Sequence, residues 1–502
     1  MDYARLIDRY TERHRHHGWP RQRLLHECLR AAIRDGTLAA GTRLVATRAL
    51  AEELGVARNT VLYAYEQLAS EGYLRTDRRG TVVAAVAPER PPVAAVPAAR
   101  AGLARRMRHL PVAPASDESG AFVPGVPALE QFPLTLWRRM LERAWRGLTV
   151  AQLNYADPAG EPALRAAIAD HLRAARGVVC EASQVFITDG TQSSLDLCAR
   201  AFADEGDTVW HEHPGYAGAL AAFRAAGLDV QGIPVDEEGM APQAADWRDR
   251  PPRLVYTTPS HQYPTGSVLS LRRRLALLAA ARAAGALIIE DDYDSEFRHD
   301  GAPLSAMQGL EPDAPVLYLG TFSKTMFPSL RIGFVVVPPA LAAALAAVRG
   351  QASARGRVAD QLALAEFLRS GQFALHLRRM RRLYRQRRDA LVAALEQHMG
   401  SVATVHGGSA GMHLALRFTD PALSDTALSA QARAHGIVAR PLSEHAVQGQ
   451  SGWQGLMLGY AQVPAERMDE LVRQLAALLH LAAYTHGGRS MANGPKPGPH
   501  SL

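Results

Sequence analysis

The chain has 502 residues, of which 47% are hydrophobic and 21% are charged, so it is long enough for two or three ordinary globular domains. No apolar run approaches the ~20 residues of a membrane span, and the charged N-terminus lacks a secretory signal. We therefore expect a cytoplasmic protein without a membrane partner, and the net charge of +7 permits a polyanionic one. Three scattered cysteines without metal-ligand spacing predict reduced thiols and no metal centre.

Lysine is almost absent from this chain. Of the 56 lysine and arginine residues only two are lysine, Lys324 and Lys496. Arginine supplies charge and hydrogen bonds but stays protonated, whereas a lysine whose pKa is lowered can act as a nucleophile. Lys496 lies in a Gly/Pro-rich tail, and Lys324 lies between two apolar runs in LGTFSKTMFPSLRIGF (319–334). A surviving surface lysine is the simple alternative, and we expect chemistry at Lys324.

The first 84 residues predict a small DNA-binding fold. An amphipathic helix ends near Gly36, further helices begin near Thr47 and Arg58, and two short strands follow within 72–83. Helix, turn, helix and hairpin in this order are typical of a winged helix-turn-helix domain. The alternative is a small helical docking domain with a solvated basic face.

The third helix of this module would enter the major groove by its N-terminal end, where arginine and asparagine can contact base edges. Basic residues before it and in the wing suit phosphates. The candidates for bases are Arg58, Asn59 and Thr60, and those for phosphates are Arg48, Arg78 and Arg79.

The module carries AIRDGTLAAGTRL, R-x-L-A-x-x-L-G-V at 48–56, RNTV at 58–61, AYEQL at 64–68 and EGYL at 71–74. With these motifs it resembles the GntR family of bacterial regulators, which implies double-stranded DNA as a partner. The family usually has Pro-Ser-Ser before the arginine of the second helix and a Gly-rich wing tip. This chain has Val45-Ala46-Thr47 and Arg78-Arg79-Gly80 there, so the resemblance does not extend to an operator sequence.

A change of composition separates this module from the rest. Residues 85–120 are rich in Ala and Pro and predict a linker. Its basic stretch, 100–108, fits either a solvated face or short helix, or a DNA contact. Residues 121–482 form the second predicted domain, and 483–502 predict a disordered tail.

Short β-rich runs alternate with long helical stretches in the second domain, which predicts an α/β fold with a largely parallel sheet. The expected strands are 185–188, 208–212, 229–235, 254–258, 286–291, 316–320 and 332–337.

Two of the predicted strands end in turns that suit a phosphate group. After 185–188 the chain passes through Gly190, Thr191 and Gln192 into a helix, and backbone N–H groups at a helix start favour anions. This signal is weak alone, because many α/β turns look similar. Residues near Lys324 that could complete the phosphate cup are Thr321, Ser323 and Arg331.

Other strand ends offer a stacking ring and an acid. Tyr216 follows a Pro-Gly turn and could cover a planar ligand, although an ordinary core tyrosine fits equally well. Asp291 and Asp292 end the run ALIIED, where an acid can keep a pyridine nitrogen protonated, and Tyr293 could bond a ring oxygen. Strand-end acids facing solvent are the alternative.

A lysine, a strand-end acid, an aromatic ring and a phosphate cup are the parts that pyridoxal 5′-phosphate (PLP) requires. We therefore predict that Lys324 binds PLP as an aldimine, with Asp291 at the ring nitrogen.

The domain also carries Y-x4-G-x3-L-R at 155–165, TPSHQYPTG at 258–266, EDDYDSEFR at 290–298 and GTFSK followed by Arg331. With these motifs it resembles the fold-type I, class I aminotransferases. The resemblance implies that Tyr155 reaches the phosphate of the neighbouring subunit, and therefore a dimer.

Two departures from these enzymes affect the site. Their usual Asn before Pro-Thr-Gly, which holds the ring oxygen, is Tyr263 here, preceded by His261-Gln262. The slot of their substrate-carboxylate arginine, 455–461, holds no arginine, which leaves Arg440 and Arg417 as candidates.

A winged helix, a linker and an aminotransferase-like domain in this order resemble the MocR subfamily of GntR regulators. The resemblance implies a head-to-tail homodimer on an operator with two half-sites, with an amine, an amino acid or PLP itself as effector. We predict a regulator rather than an enzyme. Two alternatives remain: a genuine aminotransferase, or one half-reaction of it, carrying a DNA-binding domain, and a constitutive DNA-binding protein with structural PLP.

Overall fold

The computed structural model describes residues 2–14, 18–78, 80–85, 104–107, 119–301, 304–352, 356–449 and 452–490. The chain divides into two compact units, Met1–Gly102 and Leu103–Leu502.

The first unit is a winged helix-turn-helix domain, as predicted. Its helices are α1 (Tyr3–His14), α2 (Arg21–Arg34), α3 (Thr47–Glu53) and α4 (Arg58–Ser70), and its antiparallel hairpin is β1 (Leu74–Asp77) with β2 (Gly80–Val83). Buried Leu29, Leu50, Val61 and Leu68 form the centre of its core.

Helix α1 was not predicted. Its apolar residues are few, and the most buried of them, Tyr3, is only 2% exposed. The backbone N–H of Tyr3 donates to Glu53 Oε1 at 3.1 Å, which joins the start of α1 to the end of α3.

The second unit is built on an eight-stranded sheet in the order β3-β10-β9-β8-β7-β4-β5-β6. All seven predicted strands are present. The short edge strand β6 was not predicted. The strands are β3 (Val185–Thr188), β4 (Thr208–His213), β5 (Asp229–Asp236), β6 (Gly239–Met240), β7 (Leu254–Thr257), β8 (Leu287–Asp292), β9 (Val316–Thr321) and β10 (Gly333–Val336).

A second, antiparallel sheet in the order β11-β12-β14-β13 was also not predicted. Its strands contain HLALRF and GLMLG, and Ala, Leu, Met and Arg favour helices, so the sequence gives no strand signal there. The strands are β11 (Ala403–His406), β12 (His413–Phe418), β13 (Arg440–Pro441) and β14 (Gly455–Gly459).

Helices cover the sheets, and buried apolar residues of both sheets share one core. The helices are α5 (Leu134–Gly147), α6 (Pro162–Arg176), α7 (Thr191–Phe202), α8 (Ala217–Ala225), α9 (Ala244–Asp249), α10 (Leu271–Ala284), α11 (Pro339–Ala352), α12 (Val358–Arg369), α13 (Gln372–Met399), α14 (Asp425–Ala434) and α15 (Met468–Ser490).

The predicted disordered tail, 483–502, is wrong up to Ser490, because α15 continues to that residue. The segment before Gly487 is rich in Ala and Leu, which favour a helix enough to carry it through two glycines. The remainder, with Lys496, lies outside the described residues.

Little of the predicted linker is described. Arg105–Met107 form one 3-10 turn, and Arg106 Nε donates to the carbonyl of Ala225 at 3.1 Å. For this part of the basic stretch the short-helix alternative fits. Cys28, Cys180 and Cys198 are all buried and free, and no helix of the described residues has the length and apolarity to cross a membrane.

Candidate functional site

The parallel part of the large sheet gathers the predicted site residues at one edge. β4, β7, β8 and β9 run parallel, and β3 runs with them because both β3 and β9 pair antiparallel with β10. Ligand sites form where the carboxyl ends of such strands meet. A cavity of ≈ 290 Å³ opens there and is lined by residues at or just after the ends of these strands, among them Thr191, Tyr216, Thr258, Asp291 and Lys324.

Lys324 follows β9 and lines this cavity. Its Nζ donates to the carbonyl oxygen of Gly125 at 2.7 Å. Burial lowers the pKa of the Lys324 amine, and nearby Asp294 opposes that shift. A lowered pKa leaves more of the amine neutral near pH 7, which is the form that attacks a carbonyl carbon.

Asp291, at the end of β8, has one bonded and one unbonded oxygen. Tyr256 donates its hydroxyl to Oδ2 at 2.9 Å, and Oδ1 has no hydrogen-bond partner among the described residues. Burial raises the pKa of the Asp291 carboxyl to about 7. A protonated pyridine nitrogen would satisfy the open oxygen and stabilise the carboxylate, so the observed geometry fits PLP at this residue.

Tyr256 was missed by the sequence reasoning. It lies on β7, where it pairs with Ile289 of the neighbouring strand. That pairing of strands places its hydroxyl beside Asp291. The sequence signal was a tyrosine near the end of a predicted strand, which becomes informative only once the neighbouring strand is known.

The predicted phosphate cup has the geometry of an anion site. Gly190 caps α7 with φ +94°, and the helix start has no side-chain cap. A Cβ at Gly190 would lie 3.4 Å from Cζ of Arg331, so this guanidinium stands directly over the turn. Uncapped N–H groups beside an arginine favour phosphate.

The other predicted cup residues hold the local loops. Gln192 Nε2 donates to the Gly218 carbonyl at 2.9 Å. Thr321 Oγ1 donates to Ser323 Oγ at 3.1 Å and accepts from the Ser323 N–H at 3.2 Å. Of the predicted cup residues only Thr191 lines the cavity itself; Gly190 and Arg331 lie beside it with these three.

Three tyrosines form an aromatic wall. Tyr216, Tyr263 and Tyr293 all line the cavity, and the rings of Tyr216 and Tyr263 meet edge-to-face with centroids 5.4 Å apart. His261 does not line it. That residue is 1% exposed and lies behind Tyr293.

Only one of the two arginines that are candidates for binding the effector carboxylate lies at the cavity. Arg440, on β13, lines the cavity. The expectation for Arg417 is wrong: it lies four residues along β12 from His413, ~13 Å at the usual rise per residue. There Arg417 stacks on Trp453 and donates to the Gly452 carbonyl.

Tyr155 does not line the cavity and is 91% exposed. Exposed apolar side chains accompany it: Trp145, Val150 and Leu153 are each at least 63% exposed.

Several cavity residues had no assigned role in the sequence. Asp294 lies three residues after Asp291 and was visible in the motif EDDYD. Met412, His413 and Pro124 to Val126 gave no signal, because only packing of the second sheet brings them to the cavity. The backbone N–H of Ala121 donates to Gly436 and that of Gly459 donates to Phe122, which fixes this connecting segment, residues 119–127, against the second sheet.

In the first unit, Arg58 and Asn59 are exposed at the start of α4, and Thr60 is half-buried. Arg48 on α3 and Arg78 beside the wing are also exposed. The Tyr65 hydroxyl donates to the Val45 carbonyl at 2.9 Å and so ties α4 to the turn before α3. Arg79 lies outside the described residues.

Comparisons with known proteins agree with both units. Residues 22–83 match the gntR family of bacterial regulatory proteins, and residues 128–475 match aminotransferase class I and II. The probable rhizopine catabolism regulatory protein MocR of Rhizobium meliloti is 42% identical over 464 residues, 91% of this chain and 93% of that protein. The HTH-type pyridoxine biosynthesis transcriptional regulator PdxR of Corynebacterium glutamicum is 37% identical, over 73% and 76% of the two chains.

Among solved structures, LysN, the α-aminoadipate aminotransferase of Thermus thermophilus in complex with N-(5′-phosphopyridoxyl)-L-leucine, aligns with TM-score 0.67 and 30% identity. That alignment covers 76% of this chain and 96% of LysN. The multiple substrate aminotransferase of Thermococcus profundus aligns with TM-score 0.68 and 25% identity, over 76% and 98% of the two chains.

Proposed function

The chain belongs to the MocR-type transcriptional regulators, in which a GntR winged helix is fused to a PLP-binding aminotransferase domain, and we propose that the occupancy of Lys324 controls its binding to DNA. One observation carries this proposal. Lys324, the open oxygen of Asp291 and the uncapped start of α7 meet at one edge of the sheet.

Each end of the cofactor has a group suited to it. Arg331 and the N–H groups after Gly190 would hold the phosphate, and Asp291 would pair with the ring nitrogen. Bound PLP supplies an aldehyde carbon that exchanges between the lysine amine and an incoming primary amine. Tyr216 and Tyr263 would then exclude water from one side of the cavity.

The charge of Arg440 indicates which chemical class of effector fits the cavity. Arg440 is a permanent cation in a cavity that also holds the Lys324 amine. An amino acid presents an amine and a carboxylate, and so fits both groups at once. A ligand changes the conformation only through different affinities for two states. PLP bonded to Lys324 would remove the contact between its Nζ and Gly125, and an amino acid that takes over the aldehyde carbon would free the amine to restore it.

The proposed assembly is a head-to-tail homodimer on two half-sites. Tyr155 and the neighbouring exposed apolar residues support a surface that a second copy covers. In such a dimer Tyr155 of each copy would serve the phosphate of the other.

The experiment uses the full-length protein and an operator selected from a random DNA library. Affinity for this operator is measured without PLP, with PLP, and with PLP plus each amino acid of a panel. We expect at least one of these additions to change the affinity. An unchanged affinity throughout would contradict the proposal and favour a constitutive DNA-binding protein.

A transaminase half-reaction is a second candidate, favoured by the position of Arg440 in the cavity. Release of a 2-oxo acid from PLP-loaded protein and an amino acid would establish it. Effector-dependent DNA binding without release of an oxo acid would exclude it.

A further inference from the structure

A chain of hydrogen bonds lies directly behind the cavity wall. His261 Nδ1 is 3.1 Å from Asp294 Oδ2 and 3.2 Å from the hydroxyl oxygen of Tyr293. The Tyr293 hydroxyl also donates to the His261 carbonyl at 2.9 Å. Asp294 and His261 are only 2% and 1% exposed, and Tyr293 is half-buried with its ring in the cavity wall.

These distances determine where the imidazole proton lies. A carboxylate only accepts hydrogen bonds, so the contact with Asp294 places a proton on His261 Nδ1. That N–H is shared with the phenol oxygen of Tyr293, which therefore accepts from His261. The Tyr293 hydroxyl can then donate its own hydrogen either to the His261 carbonyl or to an acceptor in the cavity.

Neighbouring residues pack closely around His261 and Asp294. A Cβ at Gly411 would lie 2.1 Å from His261 Cε1 and 2.6 Å from Asp294 Oδ2, so only glycine leaves room. His413 of the second sheet covers the other side of the imidazole, with ring centroids 4.5 Å apart. The two sheets together thus hold His261 in one orientation.

We propose that His261, held by Asp294, is a positioning residue that makes the Tyr293 hydroxyl a hydrogen-bond donor to the phenolic oxygen of PLP. The inference rests on the proposed function, because it requires PLP at Lys324. The phenolic oxygen of PLP is ortho to the aldehyde carbon, so it lies near Lys324 when that carbon is bonded. A hydroxyl that accepts from one N–H is a stronger donor to the next acceptor.

The same side chains also have the spacing of a metal site. Ligand atoms of His261, Asp294 and His413 lie within 4.8 Å of one another. The bond to Asp294 keeps a proton on Nδ1 of His261, so a metal ion would have to use the bare Nε2, which has no hydrogen-bond partner among the described residues. An ion bound at Nε2 would leave the Nδ1 proton, and with it the role of Tyr293, in place.

The test compares His261→Leu with His261→Asn in the full-length protein, because an Asn amide nitrogen can replace the Nδ1 donor. We expect His261→Leu to shift the visible absorption maximum of bound PLP and to weaken PLP binding about tenfold, as for one lost hydrogen bond to a charged group. His261→Asn should restore both. In a Tyr293→Phe background, His261→Leu should have no further effect.

His398→Leu is the matched control. His398 bonds Asp469 at 2.7 Å, a second histidine–aspartate pair, but it does not line the cavity, so its loss should leave the absorption maximum unchanged. An unchanged spectrum and affinity in His261→Leu, or an equal effect in the Tyr293→Phe background, would overturn the inference alone. A wild-type protein that takes up no PLP would overturn the proposed function as well.

Discussion

Two buried groups of opposite charge type dominate the site at the scale of single residues. Burial lowers the pKa of the Lys324 amine and raises that of the Asp291 carboxyl, so both are held nearer to neutral than in water. The burial that causes these pKa shifts lowers the stability of the cofactor-free protein. A ligand that supplies the missing partner of each group restores that stability.

The lysine makes a sharp prediction because the chain has only two. Borohydride reduction of the PLP-loaded protein should attach the cofactor to Lys324, and Lys324→Ala should abolish the visible absorbance and the attachment. Lys496→Arg is the control and should change neither. Peptide mass analysis reads the result, and attachment at Lys496 would refute the assignment.

Asp291→Asn should change stability in a pH-dependent way. The folded carboxyl has a pKa of about 7, above its ordinary value of 3.8. Between these pH values the folded state binds more protons than the unfolded state, so the stability of the cofactor-free protein falls as pH rises through the window. Asn does not ionise, so the variant should escape that fall and exceed the wild type by about 1–3 kcal/mol at pH 8, with a smaller difference at pH 5.

Urea unfolding of cofactor-free protein at both pH values measures this effect. Asp170→Asn, a surface carboxylate with 72% of its side chain exposed, should show no such dependence. Asp291→Asn should also weaken PLP binding at least tenfold, since the ring nitrogen loses its anionic partner. A variant that is equally stable at pH 8 and binds PLP normally would contradict both expectations.

Residues that the chemistry demands by type are recognisable in the sequence, whereas residues that only the fold brings to the cavity are not. Lys324, Asp291 and the turn at Gly190 follow strand ends and are recognisable locally. Gly125 and His413 are far from them in the chain and reach the cavity through packing of the second sheet. No local pattern distinguishes these two from other residues of their kind.

At the scale of elements, the local sequence predicts the strands of the large sheet but not those of the second sheet. The buried strands of the large sheet are rich in Val, Ile and Tyr and were predicted within one or two residues. β12 and β14 are composed largely of Leu, Met and Ala and form strands because their partners pair with them. Pairing with neighbouring strands therefore outweighs the preference of these residues for a helix.

Helix α4 gives the prediction for DNA. Arg58→Ala should weaken binding to the selected operator by about 1–3 kcal/mol and leave PLP content unchanged, because Arg58 is exposed at the start of the helix that would enter the major groove. Arg30→Ala is the control, since Arg30 bonds Glu27 at 2.6 Å and lies 3.7 Å from Glu71 within the domain. Equal losses in both variants, measured by fluorescence anisotropy, would indicate a general charge effect.

At the scale of the whole molecule, one predicted PLP contact, Tyr155, lies outside the cavity of a single copy of the chain. The cavity contains Lys324 but not Tyr155, and Tyr155 is 91% exposed. Its exposed neighbours Val150 and Leu153 would be costly to leave in water if no second copy covered them.

A mixed-dimer experiment tests whether sites are shared. Lys324→Ala should bind no PLP covalently, and Tyr155→Ala should bind it weakly because one phosphate contact is lost. If the protein is the proposed homodimer, coexpression of the two differently tagged variants gives mixed dimers in which one site has Lys324 of one copy and Tyr155 of the other. PLP affinity in half of the sites should return to the wild-type value, and no recovery would show that Tyr155 does not act across the dimer.

The connecting segment has a practical consequence for transplanting the ligand-binding half onto other DNA-binding domains. Similarity to aminotransferases begins at residue 128, yet the wall formed by Pro124 to Val126 and the carbonyl that receives Lys324 come before it. A fragment that starts at residue 128 would lack this part of the cavity wall as well as the linker. The portable sensor therefore begins near residue 119, and in a chimera the junction belongs upstream of that point.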